Sequence, residues 1–205
     1  MKRIFVTGIS TEVGKTIASA IIAEALEADY WKPIQAGDLQ NSDSHKVETL
    51  ISNTRTVFHP NAYALKTPMS PHAAAAMEGI QIRLQQIREP ATHNHLVIEG
   101  AGGLLVPLND QDTILDMIQS HYKVVVVSRH YLGSINHTLL TLECLKRKGL
   151  EACLLFSGKE LRGTEDIILK KTKVPLLGSI GEEPKFDRNL IRKYAKAFGP
   201  ALRSL

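Results

Sequence analysis

The sequence predicts an α/β fold, in which a mainly parallel β-sheet carries α-helices on both of its faces. Short apolar runs alternate with longer helix-like runs, which favours parallel strands joined by crossover helices. The unbroken β-branched run 124–127 is typical of a strand that is buried on both sides. The length of 205 residues is sufficient for such a sheet and most simply predicts one domain, 1–205.

Predicted strands and helices follow each other from the first residues onward. The predicted strands are 3–7, 30–32, 95–99, 124–127, 152–156 and 174–177. Pro33 ends the second strand, and the glycine-rich run 100–103 ends the third. The clearest predicted helices are 16–27 and 135–148, and the second stops at Gly149, as helices commonly do.

Composition limits the class of protein. Apolar residues make up 43% of the chain and charged residues 22%, which is typical of a soluble globular protein. No run is long enough to span a membrane, and the first strand is too short to be a signal peptide. The two cysteines favour core packing in a reducing compartment, so we expect a cytoplasmic protein.

The formal net charge of +4 is mild, and much of it lies near the C-terminus. The basic residues of that region are Lys185, Arg188, Arg192, Lys193, Lys196 and Arg203. Their spacing favours the solvated face of a helix over a nucleic-acid patch, so we expect neither nucleic acid nor a membrane as a partner. The eight histidines show no recurring ligand spacing, which argues against a histidine metal site.

The turn between the first strand and the first helix carries the motif GISTEVGKT, residues 8–16. The first N–H groups of a helix have no partner within it and carry partial positive charge, so they attract phosphate. Gly14 permits a close approach of the backbone, Lys15 adds a charge, and the Thr16 hydroxyl is suited to bind Mg²⁺. Five residues separate Gly8 from Gly14 where the common pattern has four, so an ordinary turn stays the alternative to nucleotide binding.

Polar side chains follow several predicted strands. Because ligands bind at the carboxyl ends of the strands in open parallel sheets, we expect a cleft at the loop 8–16, Lys32, Glu99, 128–130 and Ser157. Glu99 either binds Mg²⁺, directly or through water, or is a solvated carboxylate. Lys32 either stabilises negative charge on a substrate or extends into solvent. Asp43 either joins Thr16 and Glu99 at the metal or favours the start of a helix.

Two further helix starts offer free N–H groups. One follows Ser70 and begins at Pro71, and the other lies at 133–136. Each is either a simple helix cap or a site for a substrate carboxylate.

Taken together, these motifs resemble the dethiobiotin synthetase family, the ATP-dependent ring-closing enzymes of biotin synthesis. The motifs that carry the resemblance lie, in the order of the family, at 7–16, 32–33, 41–43, 70–72, 99–103, 132–137 and 175–178. They cover the chain from residue 1 to about 180, and the longer loop at 8–16 is the form found in that family. The resemblance implies a P-loop NTPase-like fold.

The resemblance also implies a reaction, in which 7,8-diaminononanoate, CO₂ and MgATP give dethiobiotin, ADP and phosphate. It implies a homodimer with the substrate near the subunit interface. The implied catalytic residues are Lys15, Lys32 and Thr11, and the implied Mg²⁺ ligands are Thr16, Asp43 and Glu99. The implied ATP-binding residues are Glu12, Val13, Gly14, Lys15, Thr16, Ile17, Asp43, Glu99, Gly100, Ala101, Gly102, Ser157, Gly181, Glu182 and Glu183. The implied substrate-binding residues are Gln35, Ala36, Ser70, Pro71, Gly133, Ser134, Ile135 and Asn136, of which the last four receive the remote carboxylate.

The chain departs from the family pattern at three places. Ala36 precedes Gly37 where the family often has a hydroxyl residue, so that either a substrate contact is lost or Gln35 replaces it. Ser157 stands where the family usually has an asparagine that reads adenine. The run 181–183 replaces a proline after the motif 175–178. The last two departures leave the preference for ATP over other triphosphates open.

A chromosome- or septum-positioning ATPase, which binds DNA or membrane, is the competing interpretation. Such proteins share the sheet and the phosphate-binding loop, and often have a basic tail, but they carry an extra lysine where this chain has Ser10. An amide-forming synthetase of the cobyrinate type is a second alternative, but the chain has no room for its glutaminase domain.

Overall fold

A seven-stranded parallel sheet forms the centre of the computed structural model, which describes residues 1–205. The strands are β1 Arg3–Gly8, β2 Asp29–Trp31, β3 Ile34–Ala36, β4 Phe58–His59, β5 Tyr63–Leu65, β6 Leu96–Gly103, β7 Lys123–Arg129, β8 Ala152–Ser157 and β9 Leu176–Ile180. The order across the sheet is β4-β2-β6-β1-β7-β8-β9, and every pairing in it is parallel. Strands β3 and β5 form a separate parallel pair.

Helices connect the strands and cover both faces of the sheet. They are α1 Lys15–Leu26, α2 Asp43–Leu50, α3 Pro71–Met77, α4 Ser134–Arg147, α5 Arg162–Thr172 and α6 Arg188–Ser204. Helix α1 leads from β1 towards one edge of the sheet, whereas α4 and α5 lead from β7 towards the other edge. Because such crossovers are right-handed, α1 lies on one face and α4 and α5 lie on the opposite face. The predicted α/β fold is confirmed.

The apolar core follows the sheet. Forty-eight buried side chains form one continuous cluster. The four valines Val124, Val125, Val126 and Val127 in β7 are at most 1% exposed. This burial confirms the prediction that the strand is covered on both faces.

Two predicted strands have clearly different ends in the structure, and three short strands were not predicted. Strand β6 continues through the glycines to Gly103, because Gly103 still pairs with Gly8 of β1. Strand β9 begins at Leu176 and not at Val174, and Pro175 contributes only its carbonyl oxygen, to the N–H of Leu154. Strands β3, β4 and β5 have two or three residues each, which is too short to leave an alternating pattern.

No helix of the structure combines the length and the apolar character that crossing a membrane requires.

Gly178 in β9 provides the space in which α6 packs on the sheet. The ring of Phe198, a buried residue of α6, lies directly over it, and a β-carbon at position 178 would be 2.8 Å from Phe198 Cζ. Contacts below 3 Å force a shift of one of the two elements.

We therefore expect Gly178→Ala to lower the free energy of unfolding by about 1–3 kcal/mol, as over-packing of a core does. Urea unfolding measures the change. Gly163→Ala in α5 is the matched control, because nothing lies within 4 Å of a β-carbon there and the effect on the unfolded chain is the same. Equal stabilities of the two variants would contradict this packing.

Candidate nucleotide-binding and active site

The start of α1 has the geometry of a phosphate site. Strand β1 ends at Gly8, and Gly14 precedes the helix in the left-handed conformation, with φ of 96°. No side chain caps the helix start, and no acidic residue occurs in its first turn. The first N–H groups of α1 are therefore available to an anion.

Lys15 lies at the same helix start. Its Nζ donates to the carbonyl oxygen of Ser10, 3.0 Å away, so that the side chain folds back over the loop. Burial lowers the pKa of Lys15 to about 8, and Glu99 opposes this shift whereas Lys32 adds to it. No carboxylate lies within ion-pair distance of this ammonium group, which leaves it free to compensate a bound phosphate.

Ser157 holds the loop from the end of β8. Its Oγ donates to the carbonyl oxygen of Val13 at 2.6 Å, and the side chain is buried. The hydroxyl proton is therefore already used within the chain. Ser157 also lies beneath Gly14, where a β-carbon would be 3.6 Å from the Oγ.

A cavity of about 940 Å³ opens above the loop. Most residues implied by the family resemblance line it. They are Thr11, Glu12, Val13, Gly14, Lys15, Thr16, Ile17, Lys32, Gln35, Ala36, Asp43, Ser70, Pro71, Glu99, Ala101, Gly102, Ser157, Gly181, Glu182 and Glu183. Gly100 is not part of this wall, because it lies against the ring of Phe5 and Ile114. The run 133–136 is also outside the wall.

A buried ion cluster closes the deep end of the cavity. The ammonium of Lys32 contacts Asp43 Oδ2 at 2.5 Å and Glu99 Oε1 at 3.1 Å. Lys32 is 4% exposed and Glu99 is 1% exposed. The structure therefore excludes the interpretations of Lys32 as a side chain in solvent and of Glu99 as a solvated carboxylate.

Glu99 accepts three hydrogen bonds from side chains. Its Oε1 accepts from Thr16 Oγ1 at 3.0 Å and from Lys32 Nζ at 3.1 Å. Its Oε2 accepts from the hydroxyl of Tyr30 at 2.9 Å. A buried carboxylate stays charged only when it is paired and hydrogen-bonded in this way.

The pKa values of the cluster reflect this pairing. Burial opposes the charge of Lys32, but Glu99 and Asp43 outweigh it and raise the pKa of Lys32. Burial likewise opposes the charge of Asp43, but Lys32 outweighs it and lowers the pKa of Asp43. Burial and the neighbouring Glu99 raise the pKa of Tyr30 well above its ordinary value, so the hydroxyl keeps its proton. Lys32 and Asp43 are thus charged around neutral pH, and Tyr30 is a neutral donor.

Asp43 lies in the first turn of α2, and both of its predicted roles are compatible with this position. Ser42 is the residue that caps the helix, since its hydroxyl accepts from His45 N. The Asp43 side chain points to Lys32, whereas its backbone N–H donates to Gln35 Oε1 at 3.3 Å. Gln35 is buried and also donates to the carbonyl oxygen of Gly37, so it fixes the chain between β3 and α2.

Thr16, Asp43 and Glu99 supply oxygen atoms only, which is the donor type that Mg²⁺ prefers. The chain contains no group of three or more His, Cys, Asp or Glu side chains that could hold a metal without help. Two carboxylates and a hydroxyl fit a metal whose remaining ligands are phosphate oxygens and water. The Lys32 ammonium between the two carboxylates indicates that a cation is stable at this point.

Sequence reasoning missed Tyr30, whereas it placed Arg129 among the polar residues at the strand ends. Tyr30 lies two residues before Lys32, and this spacing places both side chains on one face of the strand, which is the only signal for it in the sequence. Arg129 lines the cavity at the end of β7, with its Nη2 3.8 Å from Glu182 Oε1. Its position at a strand end was visible in the sequence, but its orientation was not.

Comparison with solved structures shows the fold. A plasmid partition protein from Borrelia burgdorferi bound to AMPPNP superposes with a TM-score of 0.64 at 16% identity, over 100% of this chain and 99% of that chain. A MinC:MinD cell division complex from Aquifex aeolicus gives a TM-score of 0.58 at 15% identity, over 100% and 95%. At such identities the likeness concerns architecture alone.

Comparison of sequences is more specific. The family described as an AAA domain matches residues 2–189. A protein named ATP-dependent dethiobiotin synthetase BioD from Christiangramia forsetii is 58% identical over 198 residues, 96% of each chain. Proteins of the same name from Cytophaga hutchinsonii and Chlamydia pneumoniae are 49% and 40% identical, over 95% and 96% of this chain and 96% and 89% of theirs. With this identity over nearly the whole length, the chain belongs to the ATP-dependent dethiobiotin synthetase family.

Proposed function

We propose that this protein is an ATP-dependent dethiobiotin synthetase, a ligase that forms two C–N bonds in one ureido ring. It converts 7,8-diaminononanoate, CO₂ and ATP to dethiobiotin, ADP and phosphate. The observation that carries the proposal is the 58% identity, over 96% of both chains, with a relative of that name. The cavity above the phosphate-binding loop supports it, because a triphosphate and a second substrate fit side by side in about 940 Å³.

The start of α1 binds the phosphates of ATP in this proposal. Backbone N–H groups after Gly14 donate to phosphate oxygens, and the Lys15 ammonium exchanges the carbonyl of Ser10 for the outer phosphates. The base lies beside the loop, towards Arg129 and the run 181–183, which line the same cavity.

Thr16, Asp43 and Glu99 are the residues that would hold Mg²⁺ together with ATP. When bound, the ion neutralises charge on the β- and γ-phosphates. The hydroxyl of Thr16 already lies 3.0 Å from Glu99, so these two proposed metal-binding oxygens are close together before any ligand enters.

The reaction divides into three steps. One amine of the substrate adds to the carbon of CO₂ and releases a proton to solvent, which gives a carbamate anion. A carbamate oxygen then attacks the γ-phosphorus while the bond to ADP breaks, so that a carbamic–phosphoric anhydride forms. Finally the second amine attacks the carbamoyl carbon, loses its proton, and expels phosphate as the ring closes.

Negative charge on oxygen develops in each of these steps, and the two lysines lie where it develops. Lys15 faces the phosphates, and Lys32 lines the same cavity and shares Glu99 Oε1 with Thr16, so it lies near the point where a carbamate would meet the γ-phosphate. Thr11 lines the cavity between the loop and Gly102, so it is near the reacting end. Preorganised cationic donors of this kind account for much of the catalysis of phosphoryl transfer.

We further propose that residues 1–205 form one domain and that the protein acts as a homodimer in the cytoplasm. The single continuous core supports one domain, and the unpaired Cys144 and Cys153 fit a reducing compartment. The start of α4 supports the dimer, because it lies outside the cavity of its own chain while Leu132 is fully exposed and Ile135 is partly exposed. In a dimer, the N–H groups at 133–136 can reach the remote carboxylate of the partner's substrate.

The overall reaction is tested by phosphate release and by mass spectrometry of the ring product. We expect turnover only when 7,8-diaminononanoate, bicarbonate, Mg²⁺ and ATP are all present, because each supplies part of the product or of its activation. Turnover that ignores the diamine but responds to DNA or lipid vesicles would favour the positioning ATPase instead.

Lys32→Met tests the role of the Lys32 ammonium group in this assay, because it removes the charge and keeps a side chain of similar length. We expect kcat to fall by about 10²–10³-fold, the range for removal of one donor to a developing oxyanion. Lys123→Met is the control, since Lys123 pairs with Glu151 at the surface. An unchanged kcat in Lys32→Met would remove Lys32 from the catalytic residues.

The dimer is tested by sedimentation equilibrium of the purified protein. We expect a mass of two chains, and we expect Ile135→Asp to shift it towards one chain because a charge would be buried at the interface. A single-chain mass at assay concentrations, with full activity, would contradict the dimer.

Ser157 offers a test of base recognition. Because its hydroxyl donates to Val13, we expect Ser157→Ala to loosen the loop and to weaken the binding of ATP, CTP and GTP equally, by about 2–10-fold, which corresponds to the loss of one hydrogen bond. Titration calorimetry measures the three affinities. Ser19→Ala is the control, because Ser19 Oγ is buried without any hydrogen-bond partner. A loss confined to ATP would show that Ser157 reads the base.

A further inference from the structure

The hydroxyl of Tyr30 reaches Glu99 from outside the cavity wall. Tyr30 is fully buried, lies in the middle of β2 and is not part of the cavity wall. It is the donor to Glu99 Oε2, whereas Thr16 and Lys32 both donate to Oε1. The two oxygens of one carboxylate therefore have different partners.

The position of Tyr30 is fixed by the sheet. Its backbone pairs with Val97 of β6, two residues before Glu99 on the same face of that strand. On the other side its N–H donates to the carbonyl oxygen of Val57, and its ring packs against Phe58 with centroids 5.7 Å apart. The hydroxyl consequently has little freedom to move away from Glu99.

The partners of Oε1 are those that change when ligands bind. In the proposed function, Thr16 and Glu99 would hold Mg²⁺, so the hydrogen bond between Thr16 and Oε1 is one that a bound ion would alter. The bond from Tyr30 goes to the other oxygen, Oε2, and comes from a residue that does not line the cavity, so it can persist throughout. Without it, Oε2 would be buried without a partner, and the carboxylate could rotate about its last torsion angle.

We propose that Tyr30 is a positioning residue, which fixes Glu99 through Oε2 and so keeps Oε1 directed at the site of Mg²⁺ and the nucleotide phosphates. The inference rests on the proposed function, because that function supplies the Mg²⁺ and the phosphates towards which Glu99 is directed. Tyr30, a residue outside the cavity wall, thus influences how strongly Mg²⁺ contributes to nucleotide binding. Outer partners of metal ligands typically contribute about 10–100-fold to metal affinity or activity.

Another tyrosine–glutamate pair of the chain provides an internal comparison. The hydroxyl of Tyr122 donates to Glu89 Oε2 at 2.8 Å, and the Glu89 Oε1 pairs with Arg3. This pair has the same chemistry but lies outside the proposed active-site cavity. Removal of either hydroxyl leaves one carboxylate oxygen without its tyrosine. The two sites differ in location and in burial, since the side chain of Glu89 is 25% exposed whereas that of Glu99 is fully buried.

The test measures the binding of AMPPNP by calorimetry, once with Mg²⁺ and once with EDTA. The ratio of the two dissociation constants reports the contribution of Mg²⁺, independently of turnover. We expect Tyr30→Phe to reduce this ratio by about tenfold, with little change of the dissociation constant in EDTA. We expect Tyr122→Phe to leave the ratio within twofold of wild type.

Thermal unfolding provides a second measurement that does not depend on a ligand. Tyr30→Phe should lower the melting temperature in the wild-type background by more than it does in a Glu99→Gln background, because the bond to a charged acceptor is the stronger one. If Tyr30→Phe alone is too unstable to purify, Glu99→Gln can be compared with the double variant Tyr30→Phe/Glu99→Gln. This comparison still measures the effect of the hydroxyl once the charge of Glu99 is removed. Equal decreases in both backgrounds would overturn the inference.

The other outcomes are equally distinct. A Mg²⁺ ratio that is unchanged in Tyr30→Phe, or reduced just as much in Tyr122→Phe, would overturn the role of Tyr30. In the same preparation, steady-state kinetics should show a raised requirement for Mg²⁺ with the KM for the diamine unchanged. Failure of wild-type protein to form dethiobiotin would instead overturn the proposed function, so the two failures are separable.

Discussion

One buried negative charge, that of Glu99, is the constraint on which the site depends. A carboxylate that is 1% exposed has lost its hydration and must be compensated by protein groups. Lys32 supplies the charge, and the hydroxyls of Thr16 and Tyr30 supply further hydrogen bonds. Tyr30 lies in β2, Lys32 directly follows this strand, and Thr16 lies in α1, so one carboxylate links the end of a strand to the start of a helix.

The strand order explains why these groups can meet. Strand β6, which ends in Glu99 and the glycines, lies between β2 and β1, although it follows both by more than sixty residues. Lys32 at the end of β2 and the loop after β1 are therefore the two lateral neighbours of Glu99. Parallel pairing also brings all three carboxyl ends to one edge, where α1 begins. The strand order therefore produces the cleft above the phosphate-binding loop.

The sequence contained the loop, the alternation of elements and the polar residues at strand ends, because each leaves a local pattern. It did not contain the partners of those residues. Tyr30 looks like any aromatic residue of a buried strand, and only the pairing of β2 with β6 directs its hydroxyl to Glu99. Ser157 and Val13 are 144 positions apart, so no local pattern indicates their hydrogen bond. Short strands such as β3 and β5 are too brief for any period to be visible.

The two lysines of the site differ in a way that suits different tasks. Lys32 contacts two carboxylates, which outweigh the effect of burial and raise its pKa. Lys15 is also buried but has only the carbonyl of Ser10 as a partner, and burial lowers its pKa to about 8. An ammonium group without a counter-charge gains most from an incoming anion, because the phosphate removes the penalty of its burial. Lys15 is thus suited to bind an incoming anion such as a phosphate. Lys32 is already neutralised by Asp43 and Glu99. It can stabilise a new anion only when these two carboxylates also contact another cation.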